Sequence, residues 1–221
     1  MSNITFKYIK ENDEIKTYIE QADHTLKQLG YTEHSFAHVG IVSEKASYIL
    51  KELGYDDRLV ELTKIAGYMH DIGNTINRVN HALSGANMAF RLLDKINVPP
   101  QEICQIISAI GHHDEGTAQP LSPMSAAIII ADKTDVRRSR VRNTDLITFD
   151  IHDRVNYAAE KSSLHFNEEK TTLIMDLTID TDISSVMEYF EIFLDRMLLC
   201  KRAAIYLGVK FKFIINGLKM M

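Results

Sequence analysis

The chain has 221 residues, of which 45% are hydrophobic and 25% are charged, and its formal net charge is −5. This composition is that of an ordinary globular protein, and the acidic balance argues against a protein that coats nucleic acid over its whole surface. No run reaches the ~18 apolar residues of a membrane span, the first residues lack a hydrophobic signal core, and the two cysteines lie far apart. We therefore expect a cytoplasmic protein with free thiols.

Helical periodicity dominates residues 11–160. Apolar residues recur every three or four positions in six segments, and this spacing predicts a helix in each segment. The segments are about 15–29, 36–53, 57–70, 81–96, 101–111 and 125–136. Glycine or proline marks the end of several of them, as at Gly30, Gly54 and Pro99. The sequence thus predicts a helical domain over residues 1–160.

The periodicity changes to strand-like alternation near residue 161. Residues 163–167 and 172–179 alternate apolar and polar side chains, which predicts a hairpin with its turn at 167–170. A long helix over 183–207 and a further strand over 209–215 complete a small α+β unit. We predict a mainly α fold in which this unit, residues 161–221, packs on the helical domain. The long helix is apolar over a wide face, so part of it is a candidate interface of a homodimer.

The histidines cluster at predicted helix ends, often beside acidic residues. Six share this placement: His34, His38, His70, His81, His112 and His113. His34 and His38 are four residues apart and project from one helical face. Asp132 ends an apolar run, where burying an unpaired carboxylate would cost several kcal/mol unless it is paired or bound to a metal.

A set of imidazoles and carboxylates favours transition metals over Mg or Ca, which prefer oxygen ligands. The set available here exceeds the needs of one ion, since Asp71, Asp132 and Asp135 lie close to the six histidines in sequence. We expect one or two divalent ions per chain, chosen from Mn, Fe, Co, Ni and Zn.

The order of these residues resembles the metal-dependent phosphohydrolases of the HD superfamily over residues 31–142. The matching residues are His38, His70-Asp71, His81, His112-His113 and Asp132. The resemblance implies a metal-ligand set of His34, His38, His70, Asp71, His81, His112, His113, Asp132 and Asp135. Within it, Asp71 would bridge two metals and His81 would bind the second one. Catalytic roles fall on His70 and Asp71, with Asp114 or an unliganded histidine as the proton donor to the leaving group. The whole chain is most similar to a bacterial group of HD proteins with a C-terminal α+β extension.

Two departures separate the chain from the cyclic-dinucleotide phosphodiesterases of that superfamily. Residues 114–120 stand where those enzymes carry a Gly-Tyr-Pro motif, and Asn74 stands where they carry a lysine. Both departures make a cyclic dinucleotide a doubtful substrate.

Basic residues near the predicted metal ligands are candidates for binding substrate phosphate. They are Arg78, Lys133, Arg137, Arg138 and Arg140, with Arg142 next to them. Two alternatives remain open for the cluster 137–142: an ion-paired surface facing acids such as Asp145, Asp150 and Asp153, or contact with a nucleic-acid backbone.

The sequence therefore predicts a metal-dependent hydrolase that activates water against a phosphate ester, either a nucleotide or a related phosphomonoester or phosphodiester. Its expected partner is a small, nucleotide-like phosphorylated substrate; we expect no membrane partner and do not favour nucleic acid. The alternative is a regulatory HD module that binds a nucleotide without catalysis.

Overall fold

The computed structural model describes residues 4–143 and 150–221. The helices of the N-terminal part are α1 (Phe6–Glu11), α2 (Asp13–Gln28), α3 (Phe36–Glu52), α4 (Asp57–Met69), α5 (His81–Lys95), α6 (Pro100–Gly111), α7 (Pro123–Lys133) and α8 (Ile151–Ala158), with short 3-10 turns η1 (Ile72–Thr75) and η2 (Arg138–Arg140). The C-terminal part contains β1 (Ala159–Phe166), β2 (Thr172–Ile179), α9 (Val186–Tyr206), β3 (Lys210–Ile215) and β4 (Leu218–Lys219). The predicted fold class, mainly α with a small C-terminal α+β unit, is confirmed.

Polar caps determine where the main helices begin. The Ser35 and Asp56 side chains accept hydrogen bonds from backbone N–H groups in the first turns of α3 and α4. Ser122 forms a reciprocal capping box at the start of α7, and Ser185 forms one at the start of α9. These caps explain why α7 begins two residues before the predicted start and α9 begins three residues after it.

Two short helices were not predicted. Helix α1 has six residues and α8 has eight, and each is too short to show a clear apolar period. Helix α7 ends at Lys133 rather than continuing to Val136, and this earlier end changes where the following side chains lie.

The C-terminal sheet has the strand order β1-β2-β3-β4. Strands β1 and β2 form the predicted antiparallel hairpin, whereas β2 and β3 are parallel and are connected through α9. Side chains at alternate positions of β2 and β3, such as Met175, Leu177 and Phe213, are buried, and α9 packs against β3. Strand β4 adds an antiparallel edge of two residues that the sequence pattern did not reveal.

Helix α7 lies at the centre of the molecule. It packs against α3 on one side and α9 on another, so the C-terminal part contacts the helix that carries Asp132. One hydrophobic cluster contains Met69 of α4, Ile129 of α7 and Phe193 of α9. The division at residue 160 stays a prediction. Among the described residues, no helix is both long enough and apolar enough to cross a membrane.

Candidate metal centre

Six side chains from five neighbouring segments converge at one buried point. His38 lies in the first turn of α3, His70 and Asp71 follow α4, His81 begins α5, His113 follows α6, and Asp132 lies in the last turn of α7. The imidazoles of His38, His70, His81 and His113 are almost completely buried. Helix ends therefore position the whole cluster, which explains why these residues follow or begin apolar segments in the sequence.

The two oxygens of Asp71 face different pairs of histidines. Oδ2 lies 3.6 Å from His38 Nε2 and 3.4 Å from His70 Nε2, whereas Oδ1 lies 3.4 Å from His81 Nε2 and 3.8 Å from His113 Nε2. Asp132 Oδ1 lies 3.4 Å from the same Nε2 atom of His38. Two ligand atoms bound to one ion at about 2.1 Å are separated by roughly 3.0–3.4 Å. The observed spacings are close to that range.

Two imidazole nitrogens in the cluster have no hydrogen-bond partner. They are Nε2 of His38 and Nε2 of His70, and both atoms are fully buried. A buried polar atom without a partner carries a free-energy cost of about 1–3 kcal/mol, which coordination to a cation would remove. This observation, together with the donor types, shows that the residues present fit a divalent transition metal.

Backbone carbonyls orient three of the rings. In His70, His81 and His113, Nδ1 lies 2.6–3.0 Å from the carbonyl oxygen three residues earlier. A carbonyl oxygen only accepts, so Nδ1 carries the proton and Nε2 presents its lone pair to the cluster. His38 is oriented differently, because its Nδ1 donates to Asp135 Oδ2 at 2.8 Å.

The charges of the cluster suit a cation. Burial raises the pKa of the Asp71 carboxyl, but neighbouring imidazoles, above all His70, lower it well below its ordinary value. Burial likewise raises the pKa of Asp132, but Lys133 and the neighbouring imidazoles together lower it well below its ordinary value, so Asp132 is also ionised. Burial lowers the pKa values of His81 and His113, which keeps both rings neutral. The pKa of His70 is instead raised, because contacts with Asp71 and Asp132 outweigh burial. The ionised carboxylates and the neutral rings of His81 and His113 are in the protonation states that bind metals.

Gly73 allows η1 to lie directly against α5. A Cβ atom at this position would lie 2.0 Å from the His81 carbonyl oxygen and 2.4 Å from Gly85 N. Only glycine fits without moving one backbone segment away from the other. The close approach brings His81 beside Asp71, and Asn74 Nδ2 donates to Asp71 Oδ1 at 3.0 Å.

A cavity of about 360 Å³ opens above the cluster. Its wall includes Asp71, His81 and Asp132, so the cavity gives access to the candidate metal ligands. Basic side chains from four segments also line it: Arg78, Lys133, Arg140 and Arg196. The volume lies within the range of small-molecule sites.

Residues 35–137 match the family model of the HD domain, and all six clustered side chains fall inside the match. The chain carries an HD domain. The predicted resemblance to the HD superfamily is thereby confirmed for this part of the chain.

Two further comparisons found similar proteins. The chain is similar to an uncharacterized protein of Methanocaldococcus jannaschii, with 27% identity over 184 residues that cover 72% of this chain and 70% of the relative. It is also similar to a crystal structure of a predicted HD superfamily hydrolase from an uncultured Thermotogales bacterium. That match has a TM-score of 0.46 and 23% identity, and it covers 59% of this chain and 73% of the other.

Three predicted ligands of the HD domain lie outside the cluster. Asp135 lies behind His38, where its carboxylate accepts from Arg137 Nε at 2.7 Å as well as from the ring. His34 lies one turn before His38, with ring centroids 5.2 Å apart, and lines the cavity. His112 turns away, and its Nδ1 donates to the Ser108 carbonyl at 2.8 Å.

The arginine cluster after α7 is largely ion-paired. Arg137 binds Asp135 and Glu33, and Arg142 binds Asp23. Among the described residues that line the cavity, neither of these arginines appears, nor does Arg138, whose Nε donates to the Tyr157 carbonyl. The acids that pair with Arg137 and Arg142 are thus not those that the sequence suggested, and Asp145 lies outside the described residues.

The other predicted residues lie at or beside the cavity. Arg78, Lys133 and Arg140 line it, and Arg78 NH1 lies 3.3 Å from His81 Nε2. Asp114, the predicted proton donor, has its Oδ1 3.9 Å from His81 Nε2.

Sequence reasoning missed the contribution of α9. Arg196 and Phe193 of this helix line the cavity, and the Arg196 guanidinium lies 4.6 Å from the centre of the Phe193 ring. Arg196 Nε also lies 2.7 Å from Glu115 Oε1, which in turn lies 3.3 Å from Lys133 Nζ. A signal was present, because Arg196 occupies the same helical face as the apolar Phe193 and Cys200.

Proposed function

We propose that this HD protein is a metal-dependent hydrolase of phosphate esters. The observation that carries the proposal is the buried cluster of six ligand side chains with two unpartnered Nε2 atoms, located at the base of a cavity whose wall includes four basic side chains. Either feature alone would be weak. Together they fit a site that holds a cation and receives an anion.

The candidate ligands are His38, His70, Asp71, His81, His113 and Asp132. A divalent transition metal bound there would supply Lewis acidity, which favours ionisation of water and neutralises charge on a phosphoryl group. The opposite orientation of the two Asp71 oxygens, each toward its own histidine pair, favours two ions over one. Mn, Fe, Co, Ni and Zn are the candidates for the ions.

The side chains of the wall would bind and orient the substrate. Lys133 and Arg196 share the single carboxylate of Glu115, so once Asp132 is engaged by a cation, a positive charge is left for an anionic ligand. Arg78 and Arg140 add positive charge on other sides of the cavity. Guanidinium groups bind phosphate through paired hydrogen bonds. Asp114 stays the candidate for protonating the leaving group.

The substrate that we propose is a small, nucleotide-like phosphate ester, and we propose that the protein acts in the cytoplasm. A cavity of about 360 Å³ accommodates a compound of that class. Nucleic acid is not proposed, because Arg137 and Arg142 are occupied by acids of the same chain.

The first experiment is metal analysis by mass spectrometry on protein purified without chelator or nickel resin. We expect one to two equivalents of a transition metal per chain, and turnover of a panel of phosphomonoesters and phosphodiesters with that metal. Asp71→Ala should abolish both metal retention and turnover, while His112→Ala, a histidine outside the cluster, should keep both. Full turnover by Asp71→Ala would contradict the proposal. Nucleotide-dependent thermal stabilisation without release of phosphate would favour the regulatory module instead.

A further inference from the structure

The outer side of α9 carries a regular line of exposed residues. Their spacing alternates between four and three positions, which places them along one line of the helix surface. The residues are Met187, Glu191, Leu194, Leu198, Lys201 and Ile205. We name this line the α9 stripe.

The apolar members of the α9 stripe are unusually exposed. The exposed fraction is 76% for Met187, 63% for Ile205, 43% for Leu194 and 42% for Leu198. The opposite face of the helix is buried against α7 and the sheet, so the stripe is not needed for the core. Single exposed leucines are common, but four large apolar side chains in one line form a patch that calls for a partner.

The two charged members of the stripe have opposite signs. Glu191 and Lys201 are exposed, and neither forms an ion pair with any residue in the described part of the chain. A partner that places a positive charge opposite Glu191 and a negative charge opposite Lys201 would form an ion pair with each of them.

The stripe is symmetric about position 196. Residues at equal distances before and after this position are Met187 and Ile205, Glu191 and Lys201, and Leu194 and Leu198. In a two-fold interface, if residue i contacts residue j of the partner, then j contacts i. Two antiparallel copies of α9 would therefore place apolar residues opposite apolar residues and Glu191 opposite Lys201 twice. A parallel arrangement would place Glu191 opposite Glu191.

We propose that the α9 stripe is a homodimer interface in which α9 of a second copy packs antiparallel, with the two-fold axis beside position 196. Charge complementarity selects a second copy as the occupant, because the stripe is complementary to itself. The patch continues at the C-terminal end of α9, where the Tyr206 hydroxyl donates to the Leu121 carbonyl at 3.0 Å and both side chains are exposed. This inference does not depend on the proposed hydrolase activity.

The dimer also bears on the cavity. Phe193 and Arg196 extend from the other side of the same helix into the cavity wall. Pairing of two α9 helices would therefore fix the position of the helix that carries these two wall residues in each copy.

A charge exchange tests the proposal on the full chain. Sedimentation velocity and light scattering should give a mass of twice 25.2 kDa for the wild type. Glu191→Lys should place like charges opposite each other at two points and raise the dimer dissociation constant by about tenfold or more. Combining it with Lys201→Glu should restore the wild-type value. Glu168→Lys, an equal charge change in the exposed β1–β2 turn, is the matched control and should leave dimerisation unchanged.

A second variant tests the apolar centre. Leu198→Glu should give a monomer whose circular dichroism spectrum matches that of the wild type. The proposal would be overturned if the wild type were a monomer at about 100 μM, because its dissociation constant would then lie above the micromolar range of ordinary interfaces. A dimer that is insensitive to Leu198→Glu, or a charge exchange that fails to restore pairing, would overturn it as well.

Discussion

Replacement of Asp135 by asparagine tests how the His38 ring is oriented. The substitution keeps an oxygen that accepts from His38 Nδ1 but removes the negative charge behind the ring. Both side chains are buried and their polar atoms are 2.8 Å apart, so water cannot substitute for the lost charge. A hydrogen bond to a charged group contributes about 1.5–3 kcal/mol, roughly twice a neutral one. The expected loss of about 1–1.4 kcal/mol corresponds to a five- to tenfold weaker metal affinity.

Titration calorimetry of metal-free protein with Mn²⁺ at fixed pH measures this loss. Asp135→Asn also weakens the pairing with Arg137, so its melting temperature must be recorded to show that the fold persists. Asp23→Asn is the matched control, since Asp23 pairs with Arg142 rather than with a histidine ring. A change below about twofold, equivalent to less than roughly 0.5 kcal/mol, would refute the reasoning. Complete loss of binding would make Asp135 a direct ligand, as the sequence predicted.

Three further outcomes are expected. Gly73→Ala should destabilise the fold by about 1–3 kcal/mol and lower the melting temperature by roughly 2–4 °C per kcal/mol. Gly40→Ala is the control and should leave the melting temperature unchanged, because a Cβ at position 40 meets no atom within 4 Å. The hydrogen bond from Ser185 N–H, together with other contacts, lowers the pKa of Glu188 from 4.5 to about 2. The ionised Glu188 carboxylate therefore stabilises the fold above its unfolded pKa, and this contribution is lost as pH falls toward about 2. Melting curves of Glu188→Gln should therefore lie furthest below the wild type above pH ~5 and converge with it near pH ~2. Arg196→Met should raise KM for a phosphate ester by about tenfold while metal content stays unchanged, and an unaltered KM would remove Arg196 from the substrate site.

The clustered residues could be predicted because their order and their places at helix ends are local properties of the sequence. Apolar periodicity located the helices, and the resemblance to the HD superfamily implied which polar residues at their ends are candidate ligands. The ligand roles themselves stay predictions, but the structure brings six of the nine candidates together.

Asp135 and His112 illustrate what local patterns leave open. With α7 predicted to reach Val136, Asp132 and Asp135 would share one helical face. The helix ends at Lys133, and the backbone turns so that Asp135 lies behind His38 instead. His112 and His113 are adjacent at a helix end, so their side chains point in different directions and only His113 reaches the cluster.

The sequence pattern puts Arg196 on the apolar face of α9, but its place beside the cavity depends on packing between distant segments. Helix α9 contacts α7 across more than fifty intervening residues, and no local pattern specifies which face of α7 it covers. The long-range partners of the arginine cluster could not be predicted for the same reason, since Arg137 pairs with Glu33 and Arg142 pairs with Asp23, about a hundred positions away.

The carbonyl groups that orient His70, His81 and His113 have a consequence for how the site tolerates mutation. Every amino acid brings a carbonyl oxygen, so substitutions at positions 67, 78 and 110 leave these three acceptors in place. Related sequences can therefore differ at those positions without losing the orientation of the three rings, because the backbone supplies the acceptors. His38 alone among the four clustered rings depends on a side chain for its orientation, and that makes Asp135 the point at which a single substitution can misalign the site.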